Sequence, residues 1–321
     1  MQQTAKHIYE AIQSANHILL IPHQNPDGDA LGSVTAMMEF LRVNGKKHSA
    51  FCATDITPRL HFLPHREKVT QDTDIWSDPT IDLVIVFDSG DLRYAGIAHH
   101  IDAMAKRPTI VNIDHHHTNE TYGDHNLVIR GASSTAEVLH NFFTWNTIDV
   151  NAVMATALLT GLLTDTDNFT NAATSATSLA IGDRLLRAGG DMALIQHMMF
   201  KDKTVNTLRL WGMVFARLAH HATLNLVYTY ITRDDLRAYG AEESDVEGIA
   251  NYLNGMKEGR ASLVIRELAD GHYKGSFRTT RDTVDVSAWA KAMDGGGHKK
   301  AAGFMVEAGS VDEALEKILI Q

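Results

Sequence analysis

Cysteine is nearly absent from this sequence, and no long uninterrupted apolar run occurs in it. Cys52 is the single cysteine among 321 residues, so no disulfide can form within the chain, which fits a reducing compartment. The first residues lack a basic flank followed by an apolar stretch, which argues against a secretory signal peptide. No apolar run approaches the length needed to cross a bilayer. We therefore expect a cytoplasmic protein that does not enter membranes.

Positive charge is scarce as well, because 29 Lys and Arg residues face 39 Asp and Glu residues and the net charge is -10. Most of this deficit lies in residues 1–200, which hold 13 basic and 22 acidic residues, whereas residues 201–321 hold 16 and 17. Such a chain does not offer the broad basic surface that binds long nucleic acids through their phosphates. We expect a small anionic ligand that is recognised locally, and not a long duplex.

The length and the order of the apolar segments predict two α/β domains. With 321 residues, the chain is long enough for two separate cores. In its first part, strand-like runs alternate with helical patterns, which predicts a mostly parallel sheet covered by helices. These runs lie near residues 17–22, 48–52, 81–87 and 109–113. We predict this domain at residues 1–190, a helical linker at 191–220 and a smaller α/β substrate domain at 221–321.

A strand-like run at residues 18–22 breaks abruptly into polar residues that include His23, Asp27 and Asp29. The carboxyl ends of buried parallel strands are where α/β proteins place their chemistry, so this segment is a candidate site. Taken alone, the two aspartates are equally well explained as caps of a helix that begins near Ala30. The motif by itself leaves both alternatives open.

Three further polar clusters follow apolar runs, and they favour a metal site. They begin at Asp88, Asp114 and Asp165. In an open sheet the strand ends converge on one edge, so clusters that are far apart in sequence can meet there. A mixture of carboxylate and imidazole ligands suits Mn, Fe or Zn better than Mg or Ca. Two such ions, about 3.5–4 Å apart, clamp a phosphate ester for in-line attack.

These ordered motifs resemble those of the DHH phosphoesterase superfamily. The residues that carry the resemblance are His23, Asp27, Asp29, Asp88, Asp114, His115, His116, Asn119 and Asp165. Residues 276–278 and 295–303 resemble the DHH-associated substrate domain, so nearly the whole chain is covered. The two-domain layout is most similar to the nano-RNases that also dephosphorylate pAp. Asp294 replaces a frequent glycine and Asp167 a smaller residue, and both departures bear on substrate preference.

The resemblance implies two divalent metal ions, with Mn²⁺ expected. Their implied ligands are His23, Asp27 and Asp88 for one ion, and Asp29, Asp88, His115 and Asp165 for the other. Asp88 would bridge, since a shared carboxylate lowers the repulsion between two cations. Asp114 is expected to orient a histidine rather than to bind metal. His116 is implied to face the substrate phosphate and to protonate the leaving oxygen, so His116 and Asp88 are the expected catalytic residues.

In the second domain, we expect substrate binding by a glycine-rich segment and an arginine. Glycine backbone approaches an anion closely, and a helix expected to start at Lys299 would offer unpaired N–H groups. Arg278 is the candidate for bidentate recognition of phosphate. The expected substrate-binding residues are Arg278, Gly296, Gly297, His298 and Lys299. Residues 133–135 are expected only to cap the next helix.

The function implied by the resemblance is that of a metal-dependent phosphodiesterase, which hydrolyses short oligonucleotides to mononucleotides and pAp to AMP. One alternative is a cyclic dinucleotide phosphodiesterase of the c-di-AMP type. A second alternative is a nucleotide-binding sensor without catalysis, which the intact set of histidines and aspartates disfavours. The native metal, the direction of cleavage and the oligomeric state stay open, with a homodimer as one candidate.

Overall fold

The computed structural model describes residues 1–201, 203–246 and 248–319. Contacts between residues divide the chain into two compact units, which we call unit 1 (residues 1–201) and unit 2 (residues 203–319). The division lies inside the segment for which the sequence predicts a linker. The predicted domain boundaries themselves stay a prediction.

Twelve α-helices and twelve β-strands lie within the described residues. The helices are α1 (Gln2–Ser14), α2 (Gly28–Val43), α3 (Ala98–Ala103), α4 (Thr135–Trp145), α5 (Ala152–Asp165), α6 (Ala176–Arg187), α7 (Met192–Ile195), α8 (Val205–Ala216), α9 (Arg233–Tyr239), α10 (Ile249–Leu253), α11 (Val286–Lys291) and α12 (Val311–Leu319). The strands are β1 (Ile18–Ile21), β2 (His48–Phe51), β3 (Val69–Thr70), β4 (Leu83–Phe87), β5 (Thr109–Asp114), β6 (His125–Val128), β7 (Ala219–His221), β8 (Leu226–Ile231), β9 (Ala261–Glu267), β10 (His272–Arg278), β11 (Gly296–His298) and β12 (Ala301–Glu307).

Unit 1 is built on a six-stranded parallel sheet with the order β3-β2-β1-β4-β5-β6. Its central strands β1 and β4 are apolar and buried along their whole length, as expected where both faces are covered. Ile18 and Leu20 face a large core that includes α1, α2, α4 and α5, while Leu19 and Ile21 face a smaller core that includes α3. The expected α/β domain with a mostly parallel sheet is confirmed.

The expectations from the sequence include neither α1 nor β6. α1 buries Ala5, Ile8 and Ile12, whose spacing of three and four residues is that of one helix face, so the pattern was present in the sequence and was overlooked. β6 has four residues, of which only Leu127 and Val128 are buried. Such a short edge strand acquires its conformation from pairing with β5, and its own residues carry little preference.

Unit 2 contains a second six-stranded sheet, in the order β11-β12-β10-β9-β8-β7. β8 and β9 are parallel, and the other neighbouring strands are antiparallel. α11 and α12 pack on one face of this sheet. α8, α9 and α10 pack on the other face, over β8 and β9. The second, smaller α/β domain is thereby confirmed, and its sheet is mixed.

The expectation that a helix starts at Lys299 is wrong. This residue lies in the turn of a hairpin between β11 and β12. Along β12, Ala302 and Phe304 are buried in the core, whereas Gly303 and Met305 alternate with them and are more exposed. This period of two belongs to a strand and not to a helix, so no helix N-terminus is available here to bind an anion.

The segment predicted as a linker is helical over most of its length. It contains α7, a π-helical stretch over Gln196–Lys201 and α8. Throughout the described part of the chain, no helix combines the length and the apolar character needed to cross a membrane.

Candidate metal centre and active site

The site is positioned by the strand order of unit 1. β1 and β4 are neighbours, and from this pair the sheet continues to β2 and β3 on one side and to β5 and β6 on the other. The crevice beyond the carboxyl ends of such a pair is the usual ligand position in open α/β sheets. His23 lies two residues beyond β1, Asp88 directly follows β4, and Asp114 is the last residue of β5. The topology therefore brings these side chains to one edge.

Asp88 lies between two histidines. Its Oδ2 is 3.5 Å from Nε2 of His23, and its Oδ1 is 3.6 Å from Nε2 of His115. The hydroxyl of Thr135 donates a hydrogen bond of 2.9 Å to Asp88 Oδ1. The backbone of Asp88 is left-handed, with φ 58°, a conformation that costs energy in a residue other than glycine and is common at functional sites. One carboxylate thus presents its two oxygens to two different groups of side chains.

Each group contains further carboxylates. Asp27 Oδ1 is 3.8 Å from His23 Nε2, and Asp165 Oδ2 is 3.2 Å from His115 Nε2. Within a group, one ligand atom from every residue lies within 4.8 Å of the others. The first group is His23, Asp27 and Asp88, and the second is Asp29, His115 and Asp165. All six residues predicted as metal ligands are therefore brought together, and their binding of metal remains a proposal.

The helix-capping interpretation of the first motif holds for Asp27 but not for Asp29, which lies in the first turn of α2 and accepts from a different helix. Asp27 Oδ1 accepts hydrogen bonds from the backbone N–H groups of Asp29 (2.9 Å) and Ala30 (3.0 Å), and so caps α2. The buried Asp29 carboxylate accepts from the N–H groups of Thr135 (2.6 Å) and Ala136 (2.8 Å). Since these N–H groups begin α4, the helix dipole favours the negative charge of Asp29.

The ionisable side chains of this cluster shift one another's pKa values. Burial and the neighbouring carboxylates raise the pKa of Asp29 and of Asp165 well above the ordinary value. Burial also opposes ionisation of Asp88, but the contact with His23 and the charges of His115 and His23 together lower its pKa. Burial disfavours the charged His23 ring in turn, and Asp88 outweighs it and raises the His23 pKa to about 9. Buried carboxylates that suppress each other's ionisation are stabilised as anions by a bound cation.

Asp114 holds the histidines that follow it. It is fully buried, and its Oδ1 accepts hydrogen bonds from the His115 backbone N–H (2.7 Å) and from the His116 ring Nδ1 (2.7 Å). Its Oδ2 accepts from the Asn119 side-chain amide at 2.5 Å. Asp114 also lies within the grouping of Asp88, His115 and His116, but these protein donors already occupy its oxygens. This geometry supports the expected role of orienting a histidine.

Three residues contact the site although the sequence motifs did not predict these contacts. Thr135 was expected only in a capping segment, in which Ser134 is the residue that caps α4, yet Thr135 also contacts Asp88. The Tyr94 ring stacks on the His23 ring, with 5.0 Å between centroids. The backbone carbonyl of Gln24 accepts a 2.7 Å hydrogen bond from His23 Nδ1. The position of Tyr94 soon after the Asp88 motif is the only sequence signal that could have indicated it.

Asp165 is followed by an unusual turn in which Asp167, Asn168 and Phe169 all have left-handed backbones, with φ 47°, 60° and 62°. The Asn171 side chain donates a 2.7 Å hydrogen bond to the Asp165 carbonyl and ties the turn to the site. Glycine or a short polar residue adopts such a backbone most easily. The departure at Asp167 from the smaller residue of the family pattern therefore falls on a position with a special backbone conformation.

In unit 2, Arg278 is held by neutral oxygens. Its Nε donates to Asn251 Oδ1 at 3.1 Å, and its Nη1 donates to the Phe277 carbonyl at 2.9 Å. Gly297 has φ 137°, and a Cβ there would lie 2.6 Å from the Ala301 carbonyl, so the hairpin requires glycine at this position. At Gly296, by contrast, a Cβ would meet no atom of the described residues within 4 Å. Lys299 lies in the hairpin turn, and the side chain of His298 lies outside the described part of the structure.

The donor set in unit 1 fits two divalent transition-metal ions. It combines carboxylates with two imidazoles, as Mn²⁺, Fe²⁺ and Zn²⁺ sites do, and one carboxylate reaches both groups. A cation bound among these side chains would also offset the mutual suppression of ionisation at the buried Asp29 and Asp165.

Comparison with known protein families agrees with this geometry. The DHH family, N-terminal domain, matches residues 17–162, and the DHHA1 domain matches residues 223–319. The first match covers the parallel sheet and five of the six candidate ligands, while Asp165 lies just beyond it. The second covers most of unit 2, including Arg278 and the glycine-rich hairpin.

Individual relatives match over almost the whole chain. A bifunctional oligoribonuclease and PAP phosphatase NrnA from Thermus thermophilus is 31% identical over 94% of this chain and 88% of the relative. A probable bifunctional oligoribonuclease and PAP phosphatase NrnA from Streptococcus mutans is 26% identical over 93% of this chain and 92% of the relative. An exopolyphosphatase-related protein from Bacteroides fragilis has the same fold, with a TM-score of 0.90 at 23% identity over 100% of this chain and 96% of its own.

Proposed function

This chain belongs to the DHH family, and we propose that it is a metal-dependent phosphodiesterase that hydrolyses short oligonucleotides to mononucleotides and pAp to AMP. The observation that carries the proposal is the position of Asp88, whose oxygens lie 3.5 Å from His23 and 3.6 Å from His115. The NrnA relatives, which match over almost the full chain, are named for these two activities. We further propose that it acts in the cytoplasm.

The six side chains of the cluster would hold two divalent ions, and we propose that these are Mn²⁺. The proposed ligands are His23, Asp27 and Asp88 for one ion, and Asp29, Asp88, His115 and Asp165 for the other. Such a pair supplies Lewis acidity at the phosphoryl group and stabilises charge on both the attacking and the leaving oxygen. The chain contributes the fixed position of its ligands, since helix N–H groups hold Asp29 and a hydroxyl holds Asp88.

His116 is the proposed proton donor to the leaving oxygen. Asp114 accepts the hydrogen bond from His116 Nδ1, which fixes the ring and leaves the proton on Nε2 as the one to be transferred. Burial lowers the pKa of His116, but the Asp114 hydrogen bond and the charge of Asp88 outweigh burial and raise it above the ordinary value. The hydrogen bond to Asp114, which is not among the proposed metal ligands, favours the protonated ring that a general acid needs.

In unit 2 the proposed substrate contacts are the Arg278 guanidinium, the Gly296 and Gly297 backbone, and the side chains of His298 and Lys299. The proposed contact of Arg278 is supported by its free Nη2, which makes no hydrogen bond to the described residues and can therefore donate to a phosphate. The proposed contact of Gly296 is supported by the open space beside its Cα, into which a ligand can fit.

Hydrolysis of three substrates in parallel tests the proposal. The purified chain with Mn²⁺ is incubated with a dinucleotide, with pAp and with c-di-AMP, and the products are separated. We expect mononucleotides from the dinucleotide, AMP from pAp, and no turnover in chelator-treated buffer. Faster cleavage of c-di-AMP than of either other substrate would support the cyclic dinucleotide alternative, and binding without turnover would support the sensor.

A second readout does not depend on activity. Titration of the metal-free chain with Mn²⁺ is expected to reveal two bound ions per chain, and Asp88→Ala is expected to reduce both affinities because Asp88 faces both groups. A single ion whose affinity is unchanged by this substitution would contradict the proposed site.

A further inference from the structure

Asn112 places a polar amide in the interior of an apolar strand. It lies on β5 between Val111 and Ile113, and it is fully buried. A buried amide costs free energy unless its N–H groups and its oxygen are paired. An apolar side chain of the same shape would fill the space without that cost, so packing alone does not account for an asparagine here. The hydrogen-bond partners of Asn112 therefore indicate what it does.

The Asn112 side chain donates to two other asparagine side chains. Its Nδ2 donates to Asn119 Oδ1 at 2.9 Å and to Asn126 Oδ1 at 3.1 Å. Asn126 lies on β6, directly opposite Asn112 in the register of the two strands. We call these three residues the asparagine cluster. Since an amide nitrogen carries two N–H groups, Asn112 uses both of them within the cluster.

Backbone N–H groups fix the orientation of the two partner amides. The Thr121 N–H donates to Asn119 Oδ1 at 2.7 Å, and the Gly123 N–H donates to Asn126 Oδ1 at 3.0 Å. An N–H group can donate to the oxygen of an amide but not to its nitrogen, so the backbone determines where both oxygens lie. Position 112 must therefore supply donors to two oxygens, which asparagine does and an ionised aspartate cannot do.

With its oxygen held in this way, Asn119 directs its nitrogen to the proposed active site. This nitrogen donates to Asp114 Oδ2 at 2.5 Å and to the Ser89 carbonyl at 3.1 Å. Ser89 directly follows Asp88, so Asn119 connects the segment after β4 to the end of β5. A rotated Asn119 amide would place its oxygen against the Asp114 carboxylate, and the two acceptors would repel each other.

We propose that Asn112 is a positioning residue for His116, the proposed proton donor. It acts through two intermediate side chains. Its Nδ2 holds the Asn119 oxygen, and the Asn119 nitrogen holds Asp114. Asp114 in turn accepts the 2.7 Å hydrogen bond from His116 Nδ1. The inference rests on the proposed function, because it requires that His116 protonates the leaving oxygen.

The first experiment measures hydrogen exchange of the metal-free chain and does not involve catalysis. Asn112→Asp keeps the shape of the side chain but replaces its donors by a carboxyl group, while Asn112→Leu removes the donors without adding an acid. In both variants the backbone N–H groups of Thr121 and His115 should exchange about tenfold faster, because their acceptors belong to the supported side chains.

The matched control is Asn146→Asp. The Asn146 amide donates, within the described part of the chain, to the carbonyls of Ala5 and Phe142 at the other end of α4 from the site. This variant loses the same kind of donor, and it should leave the exchange of Thr121 and His115 unchanged. Wild-type exchange at both positions in both Asn112 variants would overturn the proposal.

The second experiment compares two substrates that differ in their leaving group, at saturating Mn²⁺. ApA releases an alkoxide that must be protonated, whereas the p-nitrophenyl ester of adenosine 5′-monophosphate releases p-nitrophenolate, a stable anion that needs no proton. Asn112→Leu is expected to lower kcat for ApA about tenfold and to leave kcat for the ester within about twofold. Asn146→Asp should change neither value.

The outcomes distinguish this proposal from the proposed function. If the wild type hydrolyses ApA but Asn112→Leu slows both substrates equally or neither of them, the positioning of His116 is overturned and the proposed function stands. If the wild type hydrolyses neither substrate, the proposed function fails. Faster exchange at Thr121 and His115 in the Asn112 variants would then still assign Asn112 to the support of Asp114.

Discussion

Gly161 on α5 lies directly against the Asp29 carboxylate on α2. A Cβ at Gly161 would be 2.5 Å from Asp29 Oδ1 and 3.0 Å from its Cα. Gly32 makes a similar approach, since a Cβ there would be 2.5 Å from the Ala157 carbonyl. α2 and α5 therefore cross at a separation that only glycine permits, and this crossing brings Asp29 close to Asp165 at the end of α5.

We expect Gly161→Ala to damage the proposed metal centre. The added methyl group must displace Asp29 or separate the two helices, at a cost of about 1–3 kcal/mol in the free energy of unfolding. The affinity for Mn²⁺ should fall about tenfold or more, as measured by calorimetric titration. Gly131→Ala is the matched control, because a Cβ at that position meets no atom within 4 Å. Unchanged Mn²⁺ affinity in Gly161→Ala would show that Asp29 is not a ligand.

Thr135→Val tests the support of Asp88. The substitution keeps the shape of the side chain but removes the hydroxyl that donates to Asp88 Oδ1 at 2.9 Å. Loss of such an orienting hydrogen bond is expected to weaken metal binding about 10- to 100-fold. The control is Thr144→Val, whose hydroxyl donates, within the described part of the chain, only to the His140 carbonyl of its own helix. If both variants bind Mn²⁺ equally well, the Thr135 contact has no role in the centre.

Tyr94 is expected to position His23. Its ring stacks on the imidazole at 5.0 Å, while Gln24 holds the imidazole Nδ1 from another side. Tyr94→Ala should lower Mn²⁺ affinity about tenfold by releasing the ring, and Tyr94→Phe should restore it because the stack is retained. Calorimetric titration of both variants with Mn²⁺ distinguishes an effect of the ring from an effect of the hydroxyl. Equal weakening by Ala and Phe would assign the effect to the hydroxyl instead.

His140 should make the stability of unit 1 depend on pH. Its ring is 5% exposed, and burial together with the charge of Arg184 lowers its pKa to about 4. Its Nδ1 has no hydrogen-bond partner among the residues that the structure describes. Between pH 6.5 and 4, the unfolded chain binds a proton that the folded chain does not. The free energy of unfolding should therefore fall as the pH falls, by about 3 kcal/mol over this range. His140→Leu should lose less stability between pH 7 and 5 in urea titrations, and an equal loss in both proteins would contradict this assignment.

Two features of the protein follow from the sequence alone. Alternating apolar runs predict the parallel sheet of unit 1, and polar residues at the ends of these runs predict one common site, because parallel strands end at one edge. The position of Asp88 directly after β4 needs no tertiary information. The resemblance to the DHH family likewise rests on residues in their chain order, and the comparisons confirm it.

Other features depend on contacts between residues far apart in the chain. The left-handed backbone at Asp294, with φ 55°, shows why the family pattern often has glycine there, and only the structure reveals that conformation. The contact between Asn112 and Asn126 requires the register of β5 and β6, which side-chain periodicity does not encode.

Tertiary packing also decided which local preferences prevailed. Lys299 lies in a hairpin turn because β12 pairs with β10, although the glycine-rich segment before it also fits a helix start. Thr135 and Tyr94 reach the site through helix packing and ring stacking, and neither leaves a periodic trace in the sequence. Sequence patterns report the burial and conformation of each segment by itself, whereas register, helix crossing and stacking arise only when distant segments share one core.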